Sequence, residues 1–96
     1  MEKLTVYNKA LKQITRIYAL IRSNKSLEKD YSLCDQIKRA SVSVATNIAE
    51  GYNRSSNQFR NYLNISSGSA NEVVALLQII YEVYGINTKE LQEEYK

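Results

Sequence analysis

The sequence is informative first through the residue types that it lacks. It contains no histidine, no proline and no tryptophan, only three glycines and a single cysteine among 96 residues. The absence of histidine removes the commonest general base and a frequent metal ligand. One cysteine can form neither an internal disulfide nor a zinc site, so Cys34 fits a reducing compartment and we expect a cytoplasmic protein.

Long apolar runs and linkers are also absent. No stretch approaches the roughly 18–20 apolar residues that span a bilayer, and the N-terminus shows no apolar segment of a signal peptide. Because the chain has no proline and no low-complexity run, we expect residues 1–96 to form a single domain. A membrane partner is not expected.

The net charge of +3 is small, but it is unevenly distributed. Residues 1–27 carry six lysines or arginines against one glutamate, whereas residues 70–96 carry two lysines against five glutamates. A basic start and an acidic end allow either a polyanionic partner or head-to-tail self-association.

Apolar residues recur at spacings of three and four along most of the chain, which is typical of amphipathic helices. The pattern predicts helices over about 3–23, from 30 or 32 to 51, over 57–84, and from 87 or 88 onwards. The alternation at Ser41–Val44 resembles a strand, but the helical spacing continues on both sides of it. The predicted fold is all-α, an antiparallel up-down four-helix bundle with a short fourth helix.

Several residues mark the predicted helix ends. Gly51 and Gly85 suit the left-handed position after a helix. Ser55-x-x-Gln58 and Asn87-x-x-Glu90 have the form of capping boxes. Gly68 falls inside the third predicted helix, where glycine costs about 1 kcal/mol relative to alanine, so we expect a neighbouring helix to approach closely there.

The third predicted helix is apolar on two faces, which indicates burial on two sides. The fourth predicted helix offers only Leu91 and Tyr95 as apolar anchors. Two explanations remain open: either the natural chain is longer, or other subunits cover the exposed core.

Polar residues follow the periodicity of the buried stripes in the middle of the chain, and buried polar groups must be hydrogen-bonded. A catalytic interpretation would use Glu50 and Glu72 as acid and base, with Arg39 or Arg54 binding an anion. We favour a structural network that fixes the register of the second and third helices. Its predicted members are Arg39, Asn47, Glu50, Arg54, Ser69 and Glu72.

No recognised catalytic or cofactor motif supports the enzymatic interpretation. There is no G-x-S-x-G elbow, no phosphate-binding glycine loop and no Glu-x-x-His pair for a di-metal bundle. We therefore predict no catalytic residue, no metal site and no cofactor. The remaining candidate surface is a basic face on the first helix, formed by Lys9, Lys12 and Arg16, which either contacts nucleic-acid phosphates or is simply solvated.

The central segment closely resembles the four helix bundle proteins of the 23S rRNA intervening sequence family, to which accessory proteins of diversity-generating retroelements are related. The shared pattern is R-A-x-V-S-x-x-x-N-I-A-E-G-x-x-R, then F-x-x-x-L, then G-S-x-x-E. The residues that carry it are Arg39, Ala40, Val42, Ser43, Asn47, Ile48, Ala49, Glu50, Gly51, Arg54, Phe59, Leu63, Gly68, Ser69 and Glu72.

The resemblance implies an antiparallel four-helix bundle that assembles as a homopentamer, and its retroelement relatives imply nucleic-acid binding. We therefore expect a non-enzymatic oligomeric protein associated with RNA or DNA. The alternative is a structural module whose partner is another protein.

Overall fold

The computed structural model describes residues 2–96, which form an all-helical bundle. Three long helices are joined by short connections and followed by a short C-terminal helix; a single helical turn, α2, lies in the first connection. The helices are α1 (Lys3–Arg22), α2 (Lys25–Glu28), α3 (Tyr31–Gly51), α4 (Ser56–Tyr84) and α5 (Lys89–Tyr95). The predicted all-α bundle with a short final helix is confirmed. Within residues 2–96, no helix is long and apolar enough to cross a membrane.

The residue directly before each long helix caps it with its side chain. Glu2 accepts hydrogen bonds from the backbone amides of Leu4 and Thr5 at the start of α1. Asp30 accepts from the amide of Leu33 at the start of α3, and Ser55 accepts from the amide of Gln58 at the start of α4. These bonds satisfy amide donors that the first helical turn leaves unpaired.

Short α2 lies between the first two predicted helices, where the sequence is mostly polar and no helix is predicted. Its Leu27 is fully buried, and the Leu27 carbonyl accepts a hydrogen bond from the Cys34 thiol at 3.0 Å. One apolar residue in a four-residue helix carries no measurable periodicity, which explains why the sequence pattern does not reveal it.

The two glycines at the helix ends differ in their backbone conformation. Gly85 adopts the predicted left-handed conformation, with φ of 66°. The same prediction for Gly51 is wrong, because Gly85 is the only glycine with positive φ among the described residues. A Cβ atom at Gly51 would lie 2.9 Å from the Tyr62 Cβ, so glycine there permits the close approach of α3 and α4.

The bundle is arranged around α3, which packs against both α1 and α4. Both pairs are antiparallel, because contacts join the start of α1 and the start of α4 to the end of α3. Within the described chain, the Cα atoms of α1 and α4 nowhere approach within 8 Å of each other. Short α5 lies between them and contacts both helices. The centre of the core consists of side chains with no exposed surface, contributed by α1, α3 and α4: Ile17, Ile37, Val73, Leu77 and Ile80.

Candidate functional site

A short chain of hydrogen bonds joins α3 to α4 at two of the predicted network residues. The Asn47 side-chain amide donates to the Ser43 hydroxyl at 3.0 Å and to the Ser43 carbonyl at 2.8 Å. The hydroxyls of Ser43 and Ser69 lie 2.8 Å apart across the helix interface. The structure therefore brings Asn47 and Ser69 together through Ser43.

The four charged residues predicted for the same network lie elsewhere. Arg39 is exposed and pairs with Asp35 at 2.9 Å, one turn away on its own helix. Glu50 and Arg54 form a second pair within one chain segment, at 3.0 Å. Glu72 is exposed and forms no ion pair with any residue in 2–96. The expectation that these four residues belong to a buried network is wrong: all four are exposed, and Arg54 lies in the connection between α3 and α4.

A buried serine makes an interhelical contact that the sequence analysis does not identify. The Ser66 hydroxyl donates to the Val44 carbonyl at 2.8 Å, and Ser66 is only 3% exposed. In the sequence, the only sign of this burial is that Ser66 occupies a position in an apolar stripe of the third predicted helix. The other members of that stripe include Phe59, Leu63, Ala70 and Val73. Because the hydroxyl reaches one particular carbonyl, this bond fixes the register of α4 on α3.

The groups proposed for acid–base chemistry do not converge on a common point. Glu50 pairs with Arg54 on the surface next to Gly51, which meets Tyr62 of α4. Glu72 lies ten residues after Tyr62, almost three helical turns or about 15 Å along α4. Within residues 2–96, no three acidic or cysteine side chains are close enough to hold a metal ion.

Cys34 is the one thiol of the chain, and it lies inside the bundle. It is 4% exposed and donates a hydrogen bond to the Leu27 carbonyl. Burial raises the pKa of the Cys34 thiol, which keeps it protonated at neutral pH. A neutral thiol is a weak nucleophile, so its environment is that of a packing residue.

The predicted basic face of α1 is divided by the acidic end of the chain. Arg16 pairs with Glu94 and, at 3.5 Å, with Glu90, both on α5. Lys9 and Lys12 are exposed and form no ion pair with another described residue. The positive charge of α1 is therefore partly neutralised by the acidic residues of α5 in the same chain.

Two apolar surfaces lie on the outside of the bundle. We call the first the α1–α3 face; it consists of Leu4, Leu11, Val42 and Tyr52, each between 37% and 48% exposed. We call the second the α4 stripe; it consists of Ile65, Ile79 and Val83, between 44% and 65% exposed. The α1–α3 face lies on α1, on α3 and on the residue that follows α3, whereas the α4 stripe lies on α4 alone.

A cavity of about 730 Å³ lies where α1, α2 and α3 meet. Tyr18 and Tyr31 contribute aromatic walls, and Arg22, Glu28 and Lys38 contribute charges of both signs. The Lys38 ammonium lies 5.0 Å from the centroid of the Tyr18 ring. These mixed charges do not favour a single class of ligand.

Comparisons with known proteins identify one family and one solved structure. Residues 2–96 match the family model described as 23S rRNA-intervening sequence protein. The chain is similar to a crystal structure from Bacteroides thetaiotaomicron VPI-5482, described as a protein with unknown function from the S23 ribosomal protein family. The TM-score is 0.83 at 26% sequence identity, and the alignment covers 99% of this chain and 88% of that one. No curated protein matches the chain.

Proposed function

Because the chain belongs to the 23S rRNA-intervening sequence protein family, we propose that it is a non-enzymatic cytoplasmic bundle that works as a closed assembly of identical copies. The observation that carries this proposal is the presence of two separate apolar surfaces, the α1–α3 face and the α4 stripe. Large apolar side chains that stay exposed along one face of a small domain typically mark an interaction site.

The pattern of the α4 stripe supports packing against another helix. Ile65, Glu72 and Ile79 are spaced by seven residues, and Ser69, Leu76 and Val83 fill the second position of the same heptad. Such a seam packs lengthwise against a partner. Among the described residues of this series, Leu76 is buried and Ser69 already contacts α3, so a second copy would cover Ile65, Ile79 and Val83.

The number and placement of the surfaces support a ring. An α1–α3 face on one copy and an α4 stripe on the next form a heterologous contact, and repeated heterologous contacts close into a ring when the rotation permits. We propose that the ring contains five copies, the number that the family resemblance implies. A small chain also gains more from association than a large one, because it buries less of its surface alone.

Light scattering on the purified protein tests this proposal. We expect the wild type to have the mass of a pentamer and Ile79→Glu to reduce it, because a buried carboxylate lacks a partner. Gln78→Glu adds the same charge at the neighbouring exposed position, outside the stripe, and should leave the mass unchanged. A monomeric wild type would refute the assembly.

Association with RNA or DNA is proposed as the role of that assembly. Its support is that Lys9 and Lys12 are exposed without acidic partners among the described residues, and a ring would repeat this pair in every copy. Since Arg16 is neutralised by α5, each copy contributes a weaker patch than the sequence predicts. A protein partner remains the alternative, favoured by the apolar surfaces.

Filter binding at low and high salt distinguishes the two roles. We expect the double variant Lys9→Glu with Lys12→Glu to abolish retention of a single-stranded RNA, and binding to fall steeply as salt rises. The control is Lys25→Glu with Lys29→Glu, which changes the charge equally at exposed positions of another segment. Equal loss in both variants would indicate a general charge effect and contradict the proposed site.

A further inference from the structure

The α4 stripe carries a carboxylate at its centre. Glu72 lies seven residues after Ile65 and seven before Ile79. It is exposed and forms no ion pair within the described chain. An assembly that covers the stripe also covers this carboxylate, and a buried charge is costly unless an opposite charge pairs with it. The surface that covers the stripe must therefore supply a cation near its middle.

The α1–α3 face borders on a lysine that is available for such a pair. The Lys38 ammonium lies 5.0 Å from the centroid of the Tyr18 ring, at the edge of the cavity between α1, α2 and α3. Lys38 forms no ion pair with another described residue, whereas its neighbour Arg39 already pairs with Asp35. The fold thus leaves a cation free where the apolar part of the face ends.

The other end of the α1–α3 face contains an apolar recess of about 350 Å³. The residues that line it are Leu4, Tyr7, Ala49, Tyr52 and Asn53. From Tyr18, beside the lysine, Leu11 lies seven residues back along α1 and Tyr7 lies eleven back. These intervals correspond to about 10.5 and 16.5 Å along the helix.

The α4 stripe has the same two intervals on one side of its carboxylate. Ile79 and Val83 lie seven and eleven residues after Glu72. When Glu72 is placed at Lys38 of a second copy, Ile79 therefore reaches Leu11 and Val83 reaches the recess. One arrangement pairs the charge and covers both apolar side chains.

The opposite direction of α4 fits less well. It places Ile65 at Leu11, but the residue eleven positions before Glu72 is Asn61. A polar amide would then enter the apolar recess, and Ile79 and Val83 would lie beyond the lysine. Because unpaired polar groups are costly to bury, the first direction is favoured.

We propose that Glu72 of one copy pairs with Lys38 of the next and sets the direction in which the copies pack, with α4 antiparallel to α1 of its neighbour. This inference rests on the proposed assembly. Lys38 lies against α1, whereas Ser43, whose hydroxyl meets α4, is about 140° away around α3. The ion pair therefore joins two copies rather than two helices of one chain.

Light scattering over a concentration series tests the ion pair on the full chain. We expect Glu72→Lys and Lys38→Glu each to raise the concentration of half-assembly by about tenfold or more, because like charges then face each other. The double variant restores opposite charges and should return to within about threefold of the wild type.

Two matched controls exclude a general charge effect. Gln78→Lys adds a cation on α4 outside the stripe, and Lys12→Glu reverses a charge on α1 outside the α1–α3 face; both positions are exposed. Neither change should shift the concentration of half-assembly.

Disulfide cross-linking tests the direction of packing. Val83→Cys with Leu4→Cys should give covalent oligomers after oxidation, because Leu4 lines the recess that Val83 enters. Asn61→Cys with Leu4→Cys tests the opposite direction and should give no more cross-linked product than the wild type, whose one thiol is buried.

The possible results separate the ion pair from the assembly. A monomeric wild type would contradict both. An assembled wild type that Glu72→Lys leaves unaffected, or a double variant that stays dissociated, would overturn the ion pair while the assembly stands. Cross-links from Asn61→Cys in place of Val83→Cys would overturn the direction.

Discussion

At the scale of single residues, two glycines of the long helices meet opposite surroundings. A Cβ atom at Gly51 would lie 2.9 Å from the Tyr62 Cβ and 3.1 Å from a Phe59 ring carbon, whereas a Cβ atom at Gly68 would meet nothing within 4 Å. The expected close approach at Gly68 is therefore wrong within the chain, and close approach occurs at Gly51 instead. Sequence alone does not distinguish the two positions, because the difference depends on the neighbouring helix.

Alanine substitutions at these glycines should have opposite effects on stability. Gly68→Ala should raise the free energy of unfolding by about 0.5–1 kcal/mol, because alanine is favoured in an exposed helix interior. Gly51→Ala should lower it by about 1–3 kcal/mol, because α3 and α4 must move apart. Urea denaturation of the two variants measures both changes. A stabilised Gly51→Ala variant would contradict the close packing.

The contact between Asp30 and Tyr84 should make stability depend on acidic pH. The Tyr84 hydroxyl donates to the Asp30 carboxylate at 2.7 Å, and this bond, followed by the bond from the Leu33 amide, lowers the pKa of Asp30 below its ordinary 3.8. A lowered pKa stabilises the folded state at pH values above the ordinary pKa, and that contribution is lost as the pH falls through the folded-state value.

Tyr84→Phe should therefore be less stable than the wild type at about pH 5. The difference should shrink as the pH falls below the ordinary pKa of 3.8 and through the lower folded-state value. The measurement is urea denaturation across this range. Tyr81→Phe is the matched control, because Tyr81 is exposed and its hydroxyl makes no hydrogen bond to a carboxylate within residues 2–96. A difference that stays constant with pH would exclude this ion–hydroxyl contact as the cause.

At the scale of elements, a buried threonine attaches α5 to α4. The Thr88 hydroxyl donates to the Leu77 carbonyl at 2.8 Å, and Thr88 is 2% exposed. Thr88→Val keeps the shape of the side chain and removes this bond, so we expect a loss of about 1 kcal/mol. Amide hydrogen exchange should accelerate in α5 before α1, α3 and α4. Thr46→Val, at an exposed position, should leave exchange in α5 unchanged.

The three long helices and their starts were predictable because each signal is local. Asp30 and Ser55 precede apolar periodicity, and a cap needs only its own first turn. The left-handed Gly85 was predictable for the same reason. The one-turn α2 was not, because Leu27 is its only buried side chain.

The polar site was predictable only in part, because its geometry depends on how α3 and α4 are rotated. Asn47 and Ser69 follow the buried periodicity and do meet through Ser43. Glu72, three residues after Ser69, is exposed, because its side chain lies about 60° around the helix from that of Ser69, on the outer side. The partial neutralisation of Arg16 by Glu94 also required the fold, because 78 residues separate the pair.

At the scale of the whole molecule, the proposed ring needs an α1–α3 face on one copy and an α4 stripe on another. A copy with one damaged surface still offers the other. We therefore expect Leu11→Glu and Ile79→Glu to be monomeric alone and to form a 1:1 pair when mixed, because the one remaining contact joins two intact surfaces and cannot propagate. Sedimentation of the mixture measures this. Two variants that stay monomeric together would show that the surfaces do not bind each other.

The distance along the sequence between α1 and α5 has a consequence for folding. The Gln13 side chain donates to the Glu94 carbonyl across 81 residues at 2.7 Å, whereas α1, α3 and α4 pack against sequence neighbours. Contacts between sequence neighbours form early, because a contact that closes a long loop costs conformational entropy before its packing energy is gained. Refolding should thus assemble the three long helices first and dock α5 last. During that interval Gln13 and Arg16 lack their α5 partners, so a synthetic peptide with the α5 sequence, added during refolding, should compete with α5 for its own position.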